Sequence, residues 1–269
     1  MSNSKGNNLP EYTSSPVTEV ALGVQFEPLL GLDSIEIGRL SASFSEEFPT
    51  HLEQPPLPHV VSVDLSIPAN IQIGLIQQPR RYWFLSHMTD MLLQLQNDRV
   101  ILNWRKVNDD LVYPRYNALK KLFEGKFNVI DQFVSSKGLG KIKIDMVDLE
   151  YTNLIETNSN GPIQLEKIVH FWKSFDSDCL GNPESFNIDL QFDLQKEKSS
   201  FAKMTILLRP FLSADRALKL FMKMRVLAIP RTENFESALE LLDEVHGDIV
   251  KNFDELTLGE MHEKWGKII

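Results

Sequence analysis

Groups able to do chemistry are sparse in this sequence. Asp243 and His246 stand three apart in the last long segment, a spacing that can hold a metal. No second His or Cys follows at ligand spacing, so a packed histidine accounts better for the pair. The run EMHEKW at 260–265 lacks the second histidine of H-E-x-x-H, and His262 and Trp265 suit helix-end packing. Asp189 and Asp193 flank Gln191 on one face of an alternating strand. Paired carboxylates can exchange protons, but Lys203, Arg209, Lys223 and Arg225 on neighbouring strands explain them as a charge-paired, solvated face. There is no G-x-S-x-G, and nothing places Cys179 near a histidine. KGLGK at 137–141 ends a helix, which is the wrong context for holding phosphate. The expectation is no catalytic residue, no metal and no cofactor.

Binding chemistry has better candidates. Asn103 and Arg105, with Gln94 on the preceding strand, supply amides and a guanidinium fork suited to phosphate, carboxylate or a peptide backbone. A structural polar network is the commoner use of such a cluster. Arg115, between Pro114 and Tyr116, stands where a helix start would favour an anion. Helix initiation by Pro114 explains the same residues. Gln191, Arg209 and Arg225 join Gln94, Asn103 and Arg105 as polar residues on strand faces.

The elements that must position these residues follow from periodicity. Thr18–Phe26 reads as a strand, and Asp33 or Ser34 caps a helix running to Phe48, where Pro49 ends it. A proline-rich loop, EQPPLPH, follows. Val61, Val63 and Leu65 alternate, but Pro68 and Pro79 fragment the region. Arg81–Ser86, Met91–Gln96 and Arg99–Val107 read as strands. Asn97-Asp98 makes a two-residue hairpin turn. It sets Leu95 opposite Val100, Leu93 opposite Leu102 and Met91 opposite Trp104 on an apolar face. Gln96 with Arg99, Gln94 with Ile101, Leu92 with Asn103 and Asp90 with Arg105 form the other. A long helix opens at Tyr113-Pro114 and closes at Lys137-Gly138, with Leu119, Leu122, Phe123, Phe127, Ile130, Phe133 and Val134 on one stripe.

The second half repeats the order. Ile142–Ile155 is a strand, Ile163–Phe175 a helix, and Ser185–Gln195, Ala202–Phe211 and Ala217–Ile229 are strands. Thr232 or Asn234 caps a last helix with Phe235, Ala238, Leu239, Leu242, Val245, Ile249 and Phe253 on its stripe. The expected fold is α+β. Two tandem strand, helix, three strands, long helix halves (10–138 and 139–269) follow a disordered 1–9 and form one compact unit. The repeated order points to an internal duplication. Short loops make the strands antiparallel, and the helices cover one sheet face. Fold-level analogy is to the duplicated, saddle-shaped TATA-binding proteins, and carries no function.

Composition narrows the partners. A formal net charge of -9 argues against a surface given over to nucleic acid. The local excess of cations over 203–231 keeps that reading as an alternative. A lone cysteine and a polar N-terminus without an apolar run fit a cytoplasmic protein. No stretch reads as a membrane span, because Lys219, Lys223 and Arg225 break the densest apolar region.

LPEYTSSPVTEV at 9–20, LLQLQNDRVILNWRK at 92–106, YPRY at 113–116 and LEYTNLI at 149–155 recur as a set with LDEVHGDIVKNFDELTLGEMHEKWG at 242–266. Together they resemble a sporadically distributed, uncharacterised family of bacterial proteins. The resemblance implies a bacterial, cytoplasmic origin and brings no activity. The functional expectation is a non-catalytic binding protein that offers a polar sheet face to a protein, peptide or nucleotide. Gln94, Asn103, Arg105, Arg115, Gln191, Arg209 and Arg225 would line the site, and a homodimer is compatible with an open face or edge. An enzyme with a site between the halves is the other alternative.

Overall fold

A computed structural model describes residues 9–60, 80–157, 162–173, 183, 185–195, 199–213 and 216–268. The alternation at Val61, Val63 and Leu65, the N-terminal eight residues and Cys179 lie outside them.

Nine strands form one antiparallel sheet. They are β1 (Val17–Phe26), β2 (Thr50–Gln54), β3 (Arg81–Leu85), β4 (Met91–Gln96), β5 (Arg99–Arg105), β6 (Ile144–Glu156), β7 (Ile188–Asp193), β8 (Ser199–Leu212) and β9 (Leu218–Pro230). Their spatial order is β2-β3-β4-β5-β1-β6-β9-β8-β7. The runs β3-β4-β5-β1 and β7-β8-β9-β6 come in from opposite sides and meet where β1 pairs with β6. The fold is α+β, as expected. The hairpin register also holds: Leu95 faces Val100, Leu93 faces Leu102 and Met91 faces Trp104.

Three helices of eight or more residues are present: α1 (Ser34–Ser41), α2 (Tyr116–Ser136) and α3 (Phe235–Leu256); a short α4 (Gly259–Lys264) follows. Asp33 caps α1 by accepting from the N–H groups of Ile35 and Glu36. Asn234 caps α3 by accepting from Ser237 N–H. Gly138, at φ +65°, ends α2 in the left-handed conformation that glycine tolerates best. Helix α2 packs on β1 and β5, and α3 on β6 and β9. Val20, Leu22, Leu102, Trp104, Leu149, Met224 and Val226 meet Leu119, Phe123, Val245 and Ile249 in one apolar core. Burial of this layer is the main favourable term in such a fold.

Several elements differ from expectation. Helix α1 stops at Ser41, and the chain reaches Phe48 through turns that still bury Phe44 and Phe48. Strand β2 is an unexpected edge strand, so four strands rather than three follow α1. It has no apolar alternation, since four of its five residues are exposed. Where a helix is expected at Ile163–Phe175, the described residues 163–173 hold a single 3₁₀ turn, Leu165–Lys167. Its backbone bonds go elsewhere: His170 N–H donates to Leu256 O, and Leu258 N–H to Ile168 O. That bridge to the end of α3 competes with helical i→i−4 bonding, and Ile168 and Val169 are buried all the same. Helix α2 begins at Tyr116 rather than Tyr113, with Arg115 as its N-cap at φ +73°.

Candidate functional site

The sheet face turned away from α2 and α3 is polar, and the strand register lines its residues up in rows. One row runs Leu92, Asn103, Ala21, Glu150, Arg225, Thr205, Gln191. The next runs Arg105, Glu19, Thr152, Lys223, Leu207, Asp189. Asn103, Arg225 and Gln191 therefore share a line across the sheet, with Arg105 in the adjacent one.

The β1–β5 part of this face is buried. Gln94 accepts from Arg81 Nη1 and Trp83 Nε1, both at 3.0 Å, and donates to Asn103 Oδ1 at 2.7 Å. Asn103 in turn donates to Glu19 Oε1 at 2.7 Å. Arg105 donates to Thr89 O at 2.8 Å, which ties down the turn before β4. Gln94 and Asn103 are thus paired within the fold, whereas half-buried Arg105 bonds neither of them, and its Nε, like that of Arg81, is buried without a hydrogen-bond partner.

Beside them the chain itself crosses the face. Gln25 Oε1 accepts from Val60 N–H at 2.8 Å, and Gln25 Nε2 donates to Val60 O at 3.0 Å. Gln96 treats Leu57 the same way, at 2.9 and 3.0 Å. Arg99 Nη2 donates to Pro58 O at 2.7 Å. The imidazole of His59 lies between two carboxylates, with Nδ1 2.9 Å from Asp98 and Nε2 3.3 Å from Asp145. Arg99 also donates twice to Asp98, from Nε and Nη2, at 3.1 Å. Val60 packs, together with Phe201 and Ile229, against Met146 and Leu227. Gln25, Gln96, Asp98 and Arg99 are each at most 6% exposed. Burial raises the Asp145 carboxyl, while Gln25 and His59 oppose the shift.

Sequence reasoning places Gln96 and Arg99 on the polar face and stops there. It does not reach Gln25, His59, Asp98 or Asp145. Gln25 has a signal, being with Glu19 one of two large polar residues on the Glu19, Ala21, Gly23, Gln25 face of a valine-rich strand.

Beyond the end that His59 and Val60 cover, the β6–β9–β8–β7 part carries no covering segment among the described residues. Arg225 donates from Nε and Nη2 to Asp148, at 2.8 and 2.6 Å, and this carboxylate raises its pKa. Lys223 lies 3.1 Å from Glu150, Lys219 3.5 Å from Glu156 and Lys203 3.8 Å from Asp193. The cations expected to attract nucleic acid are thus largely neutralised in place. Arg209 differs: it is exposed and its guanidinium lies 4.7 Å over the Phe221 ring. Gln191 is exposed opposite Thr205. Arg115 is elsewhere, on the helix side, donating to Tyr12 O at 3.0 Å.

The helix side holds two clusters with catalytic-looking members. Between α2 and α3, Tyr116 stacks on His246, whose Nδ1 is 3.0 Å from the Tyr151 hydroxyl. Tyr151 meets Tyr113 at 2.9 Å, and Asp243 joins Tyr116 and Lys120. Burial pushes His246 down to about 4 and Tyr113 up to about 12. These rings join α2, α3 and β6. Near the C-terminus, Thr257 Oγ1 is 2.9 Å from His262 Nε2, and His262 Nδ1 is 3.7 Å from Asp254. The polarity is wrong for a nucleophile: the Thr257 hydroxyl donates to Phe253 O at 2.7 Å and is fully buried. Asp254 accepts instead from Tyr12 and Lys267, which hold it low against the opposing effect of burial. Among the described residues, no group of three His, Cys, Asp or Glu side chains could hold a metal.

No family model, curated protein or solved structure matches this chain. No helix of the described residues is long and apolar enough to cross a membrane.

Proposed function

We propose that this chain is a non-catalytic binding protein whose polar sheet face receives an extended protein or peptide partner. One observation carries the reading: Gln25 and Gln96 each hold both backbone groups of one residue in 55–60. A side-chain amide that takes both the N–H and the C=O of one residue recognises backbone whatever side chain that residue carries. Gln191, Arg209 and Arg225, on the continuation of the face that no described residue covers, would meet a partner arriving in trans. Arg209, exposed and stacked on Phe221, has the enriched composition of an interface anchor.

The test is to isolate the tagged protein from its own cells beside an Arg209→Ala, Gln191→Ala double variant. One stoichiometric protein partner, depleted severalfold in the variant, supports the reading. Equal retention by both, or nucleic acid in place of protein, overturns it.

A further inference from the structure

We infer that residues 55–60 are a ligand bound in cis, occupying a peptide groove that an extended, proline-containing partner segment with a cationic side chain followed by an aliphatic one would take instead. This rests on the reading of the face as a binder of extended chain, and adds the ligand class and its built-in competitor.

The argument begins with the backbone. Pro55, Pro56 and Pro58 lack N–H groups, so the segment PPLPHV has only three to place. Two of them, on Leu57 and Val60, go to glutamine side chains rather than to main chain. Among the described residues, no backbone–backbone hydrogen bond ties 55–60 to the fold. An ordinary connection is secured by turns or ladder bonds. This one is held by side chains that take Leu57 and Val60, three residues apart, which is the period of a polyproline II segment. Prolines lower the entropy lost on binding, which suits a ligand that must stay extended.

The side chains of the segment then define what the groove reads. His59 enters between Asp98 and Asp145. Nδ1 faces Asp98, and Nε2 stands 3.3 Å from both Asp145 and the Gln25 amide nitrogen; two carboxyl groups with acceptor oxygens on opposite sides of the ring suit a side chain with donors on two sides. Arg99 supplies one opposing charge, but it is engaged with Asp98, Gln25 and Pro58 O. The next residue, Val60, joins the apolar patch of Met146, Leu227, Phe201 and Ile229. Lysine or arginine fits the carboxylate pair as well as histidine does, and glutamate does not.

The experiment uses the capped, fluorescein-labelled peptide QPPLPHV, the sequence of 54–60, with the full chain. His59→Glu sets a third carboxylate against Asp98 and Asp145 and should release the segment. The released protein is expected to bind the peptide at least about tenfold tighter than the wild type does. It should also bind QPPLPKV, and should lose QPPLPEV and a peptide N-methylated at its valine, which cannot donate to Gln25. A His59→Glu protein with an unchanged thermal melt that gains no affinity overturns the inference, as does equal binding of the N-methylated peptide. If His59→Glu fails to fold, hydrogen exchange in the wild type decides. Excess peptide should speed exchange at the Leu57 and Val60 amides severalfold and leave the β4–β5 hairpin unchanged; no acceleration overturns the inference. Concentration-dependent dimers that the peptide dissociates would assign the groove to a second copy and overturn it too. Failure here, with a partner still retained through Arg209, leaves the function standing. Success here without such a partner does the reverse.

Discussion

The imidazole of His246 lies flat against the ring of Tyr116, with centroids 3.9 Å apart and planes within 10° of each other. The contact joins α3 to α2. Burial holds the imidazole neutral, lowering it from 6.5 to about 4, and Asp243 only partly opposes this. The unfolded chain takes up that proton near the ordinary value and the folded chain only near the depressed one. Between the two, the unfolded state binds more protons, so stability falls as pH drops through this window and the loss is complete below it. The full span corresponds to about 3 kcal/mol. Urea unfolding from about pH 7 to about pH 4 should show this slope in the wild type and a flatter one in His246→Gln. Parallel profiles would remove His246 as the cause.

A second prediction concerns Gly23. It sits in β1 between Ile101 and Asp148. A Cβ there would stand 2.6 Å from Val100 O and 2.8 Å from Ile101 Cγ1. The first is backbone in a paired strand and cannot step aside alone. Gly23→Ala should cost about 1–3 kcal/mol as overpacking. Gly38, exposed in α1 with nothing within 4 Å of an added methyl, is the control. Gly38→Ala should instead stabilise by up to about 1 kcal/mol, since alanine favours helix. Equilibrium denaturation of both variants checks the pair, and a neutral Gly23→Ala would show that β5 can shift.

What sequence made legible was set by period and register. The β4–β5 hairpin could be paired residue by residue because every apolar residue of one partner face met another, and Trp104 fell where expected. The stripes of α2 and α3 were equally plain. Strand β2 has no such period, and the 163–175 segment has helix-like apolar spacing but spends its backbone bonds on the end of α3. Competition of that kind is tertiary and leaves no local mark. The site divides in the same way. Gln94, Asn103 and Arg105 were visible as polar residues on a strand face, but register alone does not tell a network satisfied from within from one awaiting a partner. Asp98 reads as a turn residue, and its role as a buried acceptor for His59, Gln96 and Arg99 depends on a segment 39 residues earlier.

The last prediction separates the two kinds of polar residue on this face. Gln94→Leu removes the acceptor for Arg81 and Trp83 and the donor for Asn103. Each buried group left unpaired costs about 1–3 kcal/mol, so a large loss of stability is expected. Arg209→Ala removes an exposed guanidinium whose described contact is a cation–π approach to Phe221, and should change stability by no more than about 0.5 kcal/mol. If the binding reading is right, partner retention reverses that ranking once Gln94→Leu is studied well below its melting temperature: Gln94→Leu keeps the partner and Arg209→Ala loses it. Thermal melts and partner retention, measured on the same two proteins, check both halves of the statement. A stable Gln94→Leu protein that fails to hold the partner would move the contact surface from β8–β9 to β4–β5.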